Sequence, residues 1–185
     1  TFEYTPLGPV VHRTAAQVFV LKSVTWDQFR AIEEWFEMGH AKNLAEFQAV
    51  LDDERIPMFN LGYADRDGNI FYLWNGTIPK MPHDNHDAAA VHARDSSDIW
   101  REIHPVADLP QLLNPKGGYV MNSNSPPYFT SLAAPIDRAV FPRYFNDNAL
   151  SLRSQHSLML INNNTKYSLE DVVKLKHSQR SVLAD

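Results

Sequence analysis

Two asparagines separated by one residue, Asn122 and Asn124, stand where this chain is best equipped for chemistry. A carboxamide offers two N–H donors and carries no charge that would pair with a ground-state carboxylate, which suits a group held still to receive a developing oxyanion. The run Gly117-Gly118-Tyr119-Val120-Met121-Asn122-Ser123-Asn124-Ser125-Pro126-Pro127 reads as a short strand entered through a two-glycine turn and stopped by a proline pair. Residues two apart in an extended strand share a face, so both carboxamides are expected on one side. Asparagine beside a Pro-Pro corner also commonly bonds its own backbone in an Asx-turn, and the residue types alone leave both readings open.

Other chemistry-bearing groups are weaker. His83, Asp84, His86, Asp87 and His92 cluster in a loop-like stretch that contains zinc-type ligands, but neither cysteines nor paired anchoring turns accompany them, and no metal is assigned. Thr1 invites comparison with N-terminal threonine nucleophiles whose own α-amine is the base. No glycine-rich context follows it, and the catalytic reading is not adopted.

The elements that must position these groups follow from periodicity and turn residues. Residues 1–23 read as extended segments broken at Gly8-Pro9 and Thr14-Ala15-Ala16. Residues 24–56 read as a helical hairpin. Its first helix is capped by Thr25, with Trp26, Phe29, Ile32 and Phe36 as the buried stripe, and its second is capped by Asn43 with Glu46 and buries Leu44, Phe47, Val50 and Leu51. Residues 57–79 form a β-hairpin around Asp65-Arg66-Asp67-Gly68, with large side chains on both faces, and are expected to be covered on both sides. Residues 80–130 are loop plus the Asn-bearing strand. Residues 131–185 are irregular as far as Asp147 or Asn148, where a helix begins that ends at Asn162-Asn163-Asn164. A last helix is capped by Ser168 with Asp171 and bears Leu169, Val172, Val173 and Leu183.

Composition bounds the rest. The chain has 185 residues, 44% hydrophobic and 21% charged, with a net charge of −5, which is enough apolar material for a packed domain. The acidic balance offers neither nucleic acid nor an anionic membrane a basic stripe. There are 0 cysteines, so disulfides and thiolate chemistry are excluded. No apolar run approaches the roughly 18 residues of a membrane helix, and no signal peptide opens the chain. A start in what reads as mid-strand favours an excised segment, whose signal would lie upstream of Thr1.

Three pieces of the sequence together resemble a known family. Ala64-Asp65-Arg66-Asp67-Gly68-Asn69-Ile70-Phe71-Tyr72 with Gly76-Thr77-Ile78-Pro79, Asn114-Pro115-Lys116-Gly117-Gly118-Tyr119-Val120, and Asn122-Ser123-Asn124 before Pro126 occur in the order and at the intervals seen in the penicillin acylase (penicillin amidase) family of N-terminal-nucleophile hydrolases. Weaker similarity runs from about Thr5 to the C-terminus. Thr5-Pro6-Leu7-Gly8-Pro9-Val10 is similar to the family's T-x-H-G-P-[IV], with Leu7 in place of His, and residues 80–103 lack its P-x-R and P-x-P-G segments. The resemblance implies an internal segment of a catalytic β chain, of α+β class. The fold it implies is a partial Ntn-hydrolase αββα sandwich in which antiparallel sheet packs with helices.

The resemblance also implies roles. Asn124 matches the asparagine whose side-chain amide meets the carbonyl oxygen. Arg153 matches an arginine near the catalytic centre, although the family's second arginine is replaced here by Leu158-Met159-Leu160. Trp35 and Phe59 fall where the family lines its acyl-binding pocket; each also reads as an ordinary core aromatic. The nucleophile would be a serine at the start of the β chain, outside this segment, so the isolated chain is expected to be inactive. The partners implied are the rest of the same precursor and a small acyl-amide such as a β-lactam antibiotic, an acyl-homoserine lactone or a lipopeptide. The location implied is periplasmic or secreted. No cofactor is assigned; calcium occurs in some members, but its usual carboxylate context is not recognisable here. The rival readings are a non-catalytic module that binds an acyl ligand at Trp35 and Phe59, and a metal-dependent hydrolase at residues 83–92.

Overall fold

The computed structural model describes residues 2–24, 26, 29–53, 55–82, 91–145, 149–161 and 166–184. Thr1, Thr25, His83, Asp84, His86, Asp87, Asp147, Asn148 and Asn162 to Asn164 lie outside the described residues, and the readings made for them remain expectations. The chain divides into two compact units, Thr1–Phe59 with Trp74–Leu109, and Asn60–Leu73 with Pro110–Asp185.

The first unit opens with an antiparallel sheet in the order β1 (Tyr4–Thr5), β2 (Gly8–Arg13), β3 (Val18–Val20). Its first reversal sits at Pro6 and Leu7, one step before the expected Gly8-Pro9 turn. Thr5 closes it by accepting from the Leu7 amide and donating to the Gly8 carbonyl, at 3.2 and 3.0 Å. Gly8 belongs to β2 and is required there: its φ is 134°, and a Cβ would lie 2.1 Å from the Leu21 carbonyl oxygen. Thr14 makes the second turn by accepting from the amides of Ala16 and Gln17.

Helix α1 (Ala31–Met38) starts later than the spacing predicts, without a side-chain cap at Arg30. Its expected buried stripe faces solvent. Ile32 is 80% exposed and Phe29 83%, whereas Glu34 on the opposite face is 0% exposed. The carboxylate goes inside because it has donors there: Glu34 Oε2 accepts from the amides of Arg55 and Ile56 at 2.6 and 2.8 Å. Periodicity identifies an apolar stripe; it does not say which face these residues cover. Helix α2 (Leu44–Leu51) is capped by Asn43, whose Oδ1 accepts from Glu46 N at 2.9 Å, while the Glu46 carboxylate accepts from Lys42 N at 2.9 Å. Such a cap contributes about 1 kcal/mol. Leu51 and Ile56 are the most deeply buried apolar residues beside it.

The hairpin β4 (Met58–Ala64) and β5 (Ile70–Gly76) runs through both units. Asp65 builds its turn. Oδ1 accepts from the amides of Asp67 and Asn69, Oδ2 accepts from Asn69 Nδ2 and the Tyr63 hydroxyl, and Gly68 takes φ 89°. A third strand, β6 (Gln111–Leu113), pairs antiparallel with Phe71, Tyr72 and Leu73. β5 is therefore the middle strand, and these three consecutive residues are all buried, as expected of a strand covered on both faces. β4 departs from that expectation: as an edge strand it leaves Met58, Phe59 and Gly62 exposed.

In the second unit the Asn-bearing strand is absent. Residues 119–124 form no ladder, and the strand of this region is β6. The two-glycine turn is present: Gly118 N donates to the Pro115 carbonyl, Gly118 has φ 67°, and a Cβ on Gly117 would meet Ser131 Oγ at 2.9 Å. Short 3-10 turns at Pro127–Phe129 and Arg138–Val140 interrupt the irregular stretch that follows. Helix α3 (Leu152–Ile161) begins after Ser151, whose Oγ accepts from Ser154 N. Helix α4 (Leu169–Lys176) has the Ser168/Asp171 capping box, but Leu183 lies in a separate 3-10 turn, Val182–Ala184, beyond it.

The Asp65 turn should be acid-sensitive. The Asn69 side chain first, then the Asn69 amide, the Tyr63 hydroxyl and the Asp67 amide hold this carboxyl below the usual 3.8, against a burial cost second only to the Asn69 side-chain bond. A depressed folded pKa means that the contribution is fully present above about 3.8 and is lost as pH falls through the lowered value. Amide exchange at Asp67 and Asn69 should accelerate in that window in the wild type, and Asp65→Asn should remove the pH dependence.

Candidate active site

The loop that carries the two asparagines is built from the side chain of the first. Asn122 Oδ1 accepts from the Asn124 amide at 2.8 Å, and Asn122 Nδ2 donates to the Ser125 carbonyl at 3.0 Å and more distantly to the Tyr72 hydroxyl at 3.4 Å. This is the Asx-turn alternative. It turns the Asn122 side chain back onto its own loop and toward Tyr72, so the two carboxamides do not share a strand face. Asn124 consequently sits at φ 55°, in the left-handed region that asparagine tolerates better than most residues.

The carboxamide of Asn124 is exposed, and its orientation is set by Arg153. Arg153 Nη2 donates to Asn124 Oδ1 at 2.9 Å. A guanidinium has no acceptor, so the amide oxygen must face it and the NH2 group must face away. Among the described residues Nδ2 has no hydrogen-bond partner. The neighbouring residue strengthens the register: Ser123 Oγ and Ser157 Oγ share a hydrogen bond of 2.8 Å, and Ser157 Oγ lies 3.0 Å from the Arg153 carbonyl oxygen. Arg153 and Ser157, one turn apart on α3, thus meet two consecutive loop residues. The i,i+4 spacing of Arg153 and Ser157 was a signal available in the sequence; nothing local pointed to Ser123.

Tyr72 supports the loop from β5. Its hydroxyl donates to Asn60 Oδ1 at 2.6 Å and receives the Asn122 contact. Burial pushes its pKa upward, so it stays a neutral donor and acceptor.

Trp35 and Phe59 meet in the first unit. Their rings stand edge to face with centroids 5.2 Å apart, and both side chains are about half exposed. They form an aromatic surface with one side open, which neither of the core readings anticipated. Asn124 and Arg153 belong to the second unit. The structure thus brings the four expected site residues together as two pairs. A separate cleft of about 480 Å³ in the first unit is lined by Thr5, Gly8, Lys22, Trp26, Trp100 and Glu102 among others. Lys22 Nζ lies 3.9 Å above the Trp100 ring there and donates to the Asp98 carbonyl. Among the described residues no group of three or more His, Cys, Asp or Glu is placed to hold a metal ion, and no helix is long and apolar enough to cross a membrane.

The penicillin amidase family model matches residues 1–185. Aculeacin-A acylase of Actinoplanes utahensis is 28% identical over 188 residues, covering 85% of this chain and 24% of that protein. Penicillin G acylase of Escherichia coli is 28% identical over 113 residues, covering 60% of this chain and 13% of that protein. Among solved structures, a thermostable penicillin G acylase from Alcaligenes faecalis superposes with a TM-score of 0.70 at 21% identity, over 94% of this chain and 30% of that one. The fold is therefore the α+β fold of that penicillin G acylase, and the chain belongs to the penicillin amidase family of hydrolases. It spans about a quarter or less of the length of these curated relatives, 24% and 13%.

Removing the side chain that builds the loop should be costly. Asn122→Ala strips the partner of the Ser125 carbonyl and opens the Asx-turn, and it should destabilise the 185-residue chain by about 1–3 kcal/mol. Denaturant unfolding checks this, and a loss under ~0.5 kcal/mol, the scatter of ordinary surface substitutions, would show that the loop holds without Asn122.

Proposed function

We propose that these 185 residues are a segment of an amide-hydrolysing acylase that removes an acyl chain from an amine, and that Asn124 is the side-chain half of its oxyanion hole. The observation that carries this reading is the Arg153–Asn124 hydrogen bond of 2.9 Å. By occupying the amide oxygen, Arg153 leaves the exposed NH2 group as a preorganised donor. A donor fixed before reaction stabilises the developing oxyanion without reorganising, which is why such groups are worth roughly 3–4 kcal/mol in the transition state.

In this reading the nucleophile is an N-terminal residue supplied by another part of the polypeptide. Its hydroxyl attacks the amide carbonyl, its own α-amine takes the proton, and the acyl-enzyme that forms is then hydrolysed by water. Arg153 acts by positioning Asn124. Trp35 and Phe59 supply part of the wall against which the acyl chain lies. An acyl-amide such as a β-lactam, an acyl-homoserine lactone or a lipopeptide is the substrate class, and the enzyme works in the periplasm or outside the cell.

The partner surface also has a location. The apolar arc of α1, with Ile32 and Phe36 exposed beside Phe29, is the face that the remaining acylase polypeptide covers, since the chain accounts for 30% of its structural relative's length and this face is otherwise paid for in exposed hydrocarbon.

Two outcomes follow. In the full-length enzyme Asn124→Gly keeps the left-handed backbone while deleting the carboxamide, and kcat should fall on the order of 100-fold with folding preserved; unchanged turnover would refute the oxyanion role. The 185-residue chain alone should give no turnover of chromogenic acyl-amides and should bind a hydrophobic dye at the α1 face, with Ile32→Lys reducing the dye signal. Measurable hydrolysis by the isolated chain would show that it contains its own nucleophile.

A further inference from the structure

The acyl-wall pair rests on a buried carboxylate that no part of the reading so far uses. Glu34 precedes Trp35 on α1 and is 0% exposed. Its Oε2 accepts from the amides of Arg55 and Ile56 at 2.6 and 2.8 Å, in the connection that leads three residues later into Phe59. Its Oε1 is buried without a hydrogen-bond partner. An ionisable group inside, with one oxygen unsatisfied, costs free energy, and an apolar residue would pack α1 at lower cost. What the side-chain oxygen provides, and an apolar residue would not, is a two-point tie between the helix that carries Trp35 and the backbone that leads to Phe59.

The surroundings reinforce this tie. The Arg55 guanidinium, 7% exposed, lies 3.4 Å from Glu33 and 2.7 Å from Asp53 and also pairs with Glu37. Two of those carboxylates, Glu33 and Glu37, come from α1, so the same connection is clamped to the same helix by side chain as well as by backbone. Helix α1 turns its apolar arc outward, so hydrophobic burial on that side does not set its distance from β4. Polar bonds set it. Trp35 and Phe59 meet edge to face with centroids 5.2 Å apart, one on the helix and one on the strand that Glu34 ties together through the Arg55 and Ile56 amides.

We infer that Glu34 is a specificity-positioning residue: by bonding the Arg55 and Ile56 amides it holds Trp35 against Phe59 and so determines how long or bulky an acyl chain the enzyme accepts. This inference rests on the acylase reading above and deepens it. Glu34 touches no reacting atom, so its effect belongs in the KM of substrates whose acyl chain reaches the aromatic pair, with kcat for small acyl groups unchanged.

The test uses the full-length enzyme and a series of p-nitroanilides from acetyl to long-chain and phenylacyl. Glu34→Ala should raise KM on the order of 10-fold for the bulky acyl groups, leave acetyl turnover as in the wild type, and be rescued by Glu34→Gln, which retains an oxygen acceptor for the two amides. In a double-mutant cycle Phe59→Ala should mask Glu34→Ala, because both act through one wall. Should the alanine variant fail to fold, Glu34→Met fills the volume without accepting a bond and takes its place. Equal losses for every acyl group, or additivity with Phe59→Ala, would overturn the positioning role while leaving the acylase reading intact. A wild-type enzyme that hydrolyses no member of the series would overturn the acylase reading and this inference with it.

Discussion

A hydroxyl or carboxamide taken out of water is stabilised by a partner inside the protein, and the loop that carries Asn122 and Asn124 is arranged around that requirement. Tyr72 lies on the middle strand of its sheet, buried along with Phe71 and Leu73. Its ring belongs to the core, but its hydroxyl needs partners, and these come from Asn60 on the adjacent strand and Asn122 in the loop. Once Asn122 is anchored there, its remaining capacity closes an Asx-turn that places Asn124 in a left-handed conformation. The backbone under the exposed carboxamide is thus fixed by the Asx-turn of Asn122, and the carboxamide's orientation by Arg153.

The first unit solves the same problem with charge. Arg55 and Glu34 are both buried, yet they do not pair by a direct side-chain bond: the guanidinium is served by Glu33, Glu37 and Asp53, and the Glu34 carboxylate by backbone amides. Burial pushes the Glu34 carboxyl upward and the two amide hydrogen bonds oppose that shift. Such groups add little net stability compared with an apolar core, but they fix one arrangement of helix and strand among several that hydrocarbon packing would tolerate.

Both units place their candidate functional groups on open surfaces supported from within. Asn124 and Arg153 are exposed above a loop pinned by Asn122, Ser123 and Ser157. Trp35 and Phe59 are half exposed, and Glu34, beside Trp35 on α1, is buried on two backbone amides. Rigid support beneath an accessible donor or wall is what a preorganised site needs, since a mobile donor would have to be ordered at the moment of reaction.

Local chemistry was legible in the sequence wherever one short stretch held all the partners. The Asp65 turn and the Asn43 and Ser168 caps could be read because each side chain bonds backbone within about four residues, and the two-glycine turn because its closing backbone bond spans three; the family motifs lie on the Asp65 and glycine turns. The tertiary structure decided what depended on distant partners. Glu34 is inside and Ile32 outside because the amides of Arg55 and Ile56, some twenty residues away, need an acceptor that the Glu34 side chain supplies. The segment around Asn124 is a turn, since the extended alternative would leave Ser125 and Tyr72 without the bonds that Asn122 provides. Periodicity records which residues are apolar and turn residues record where the chain reverses. Neither records which buried polar group must be satisfied by which remote donor, and that requirement set the parts of this fold that the sequence left open.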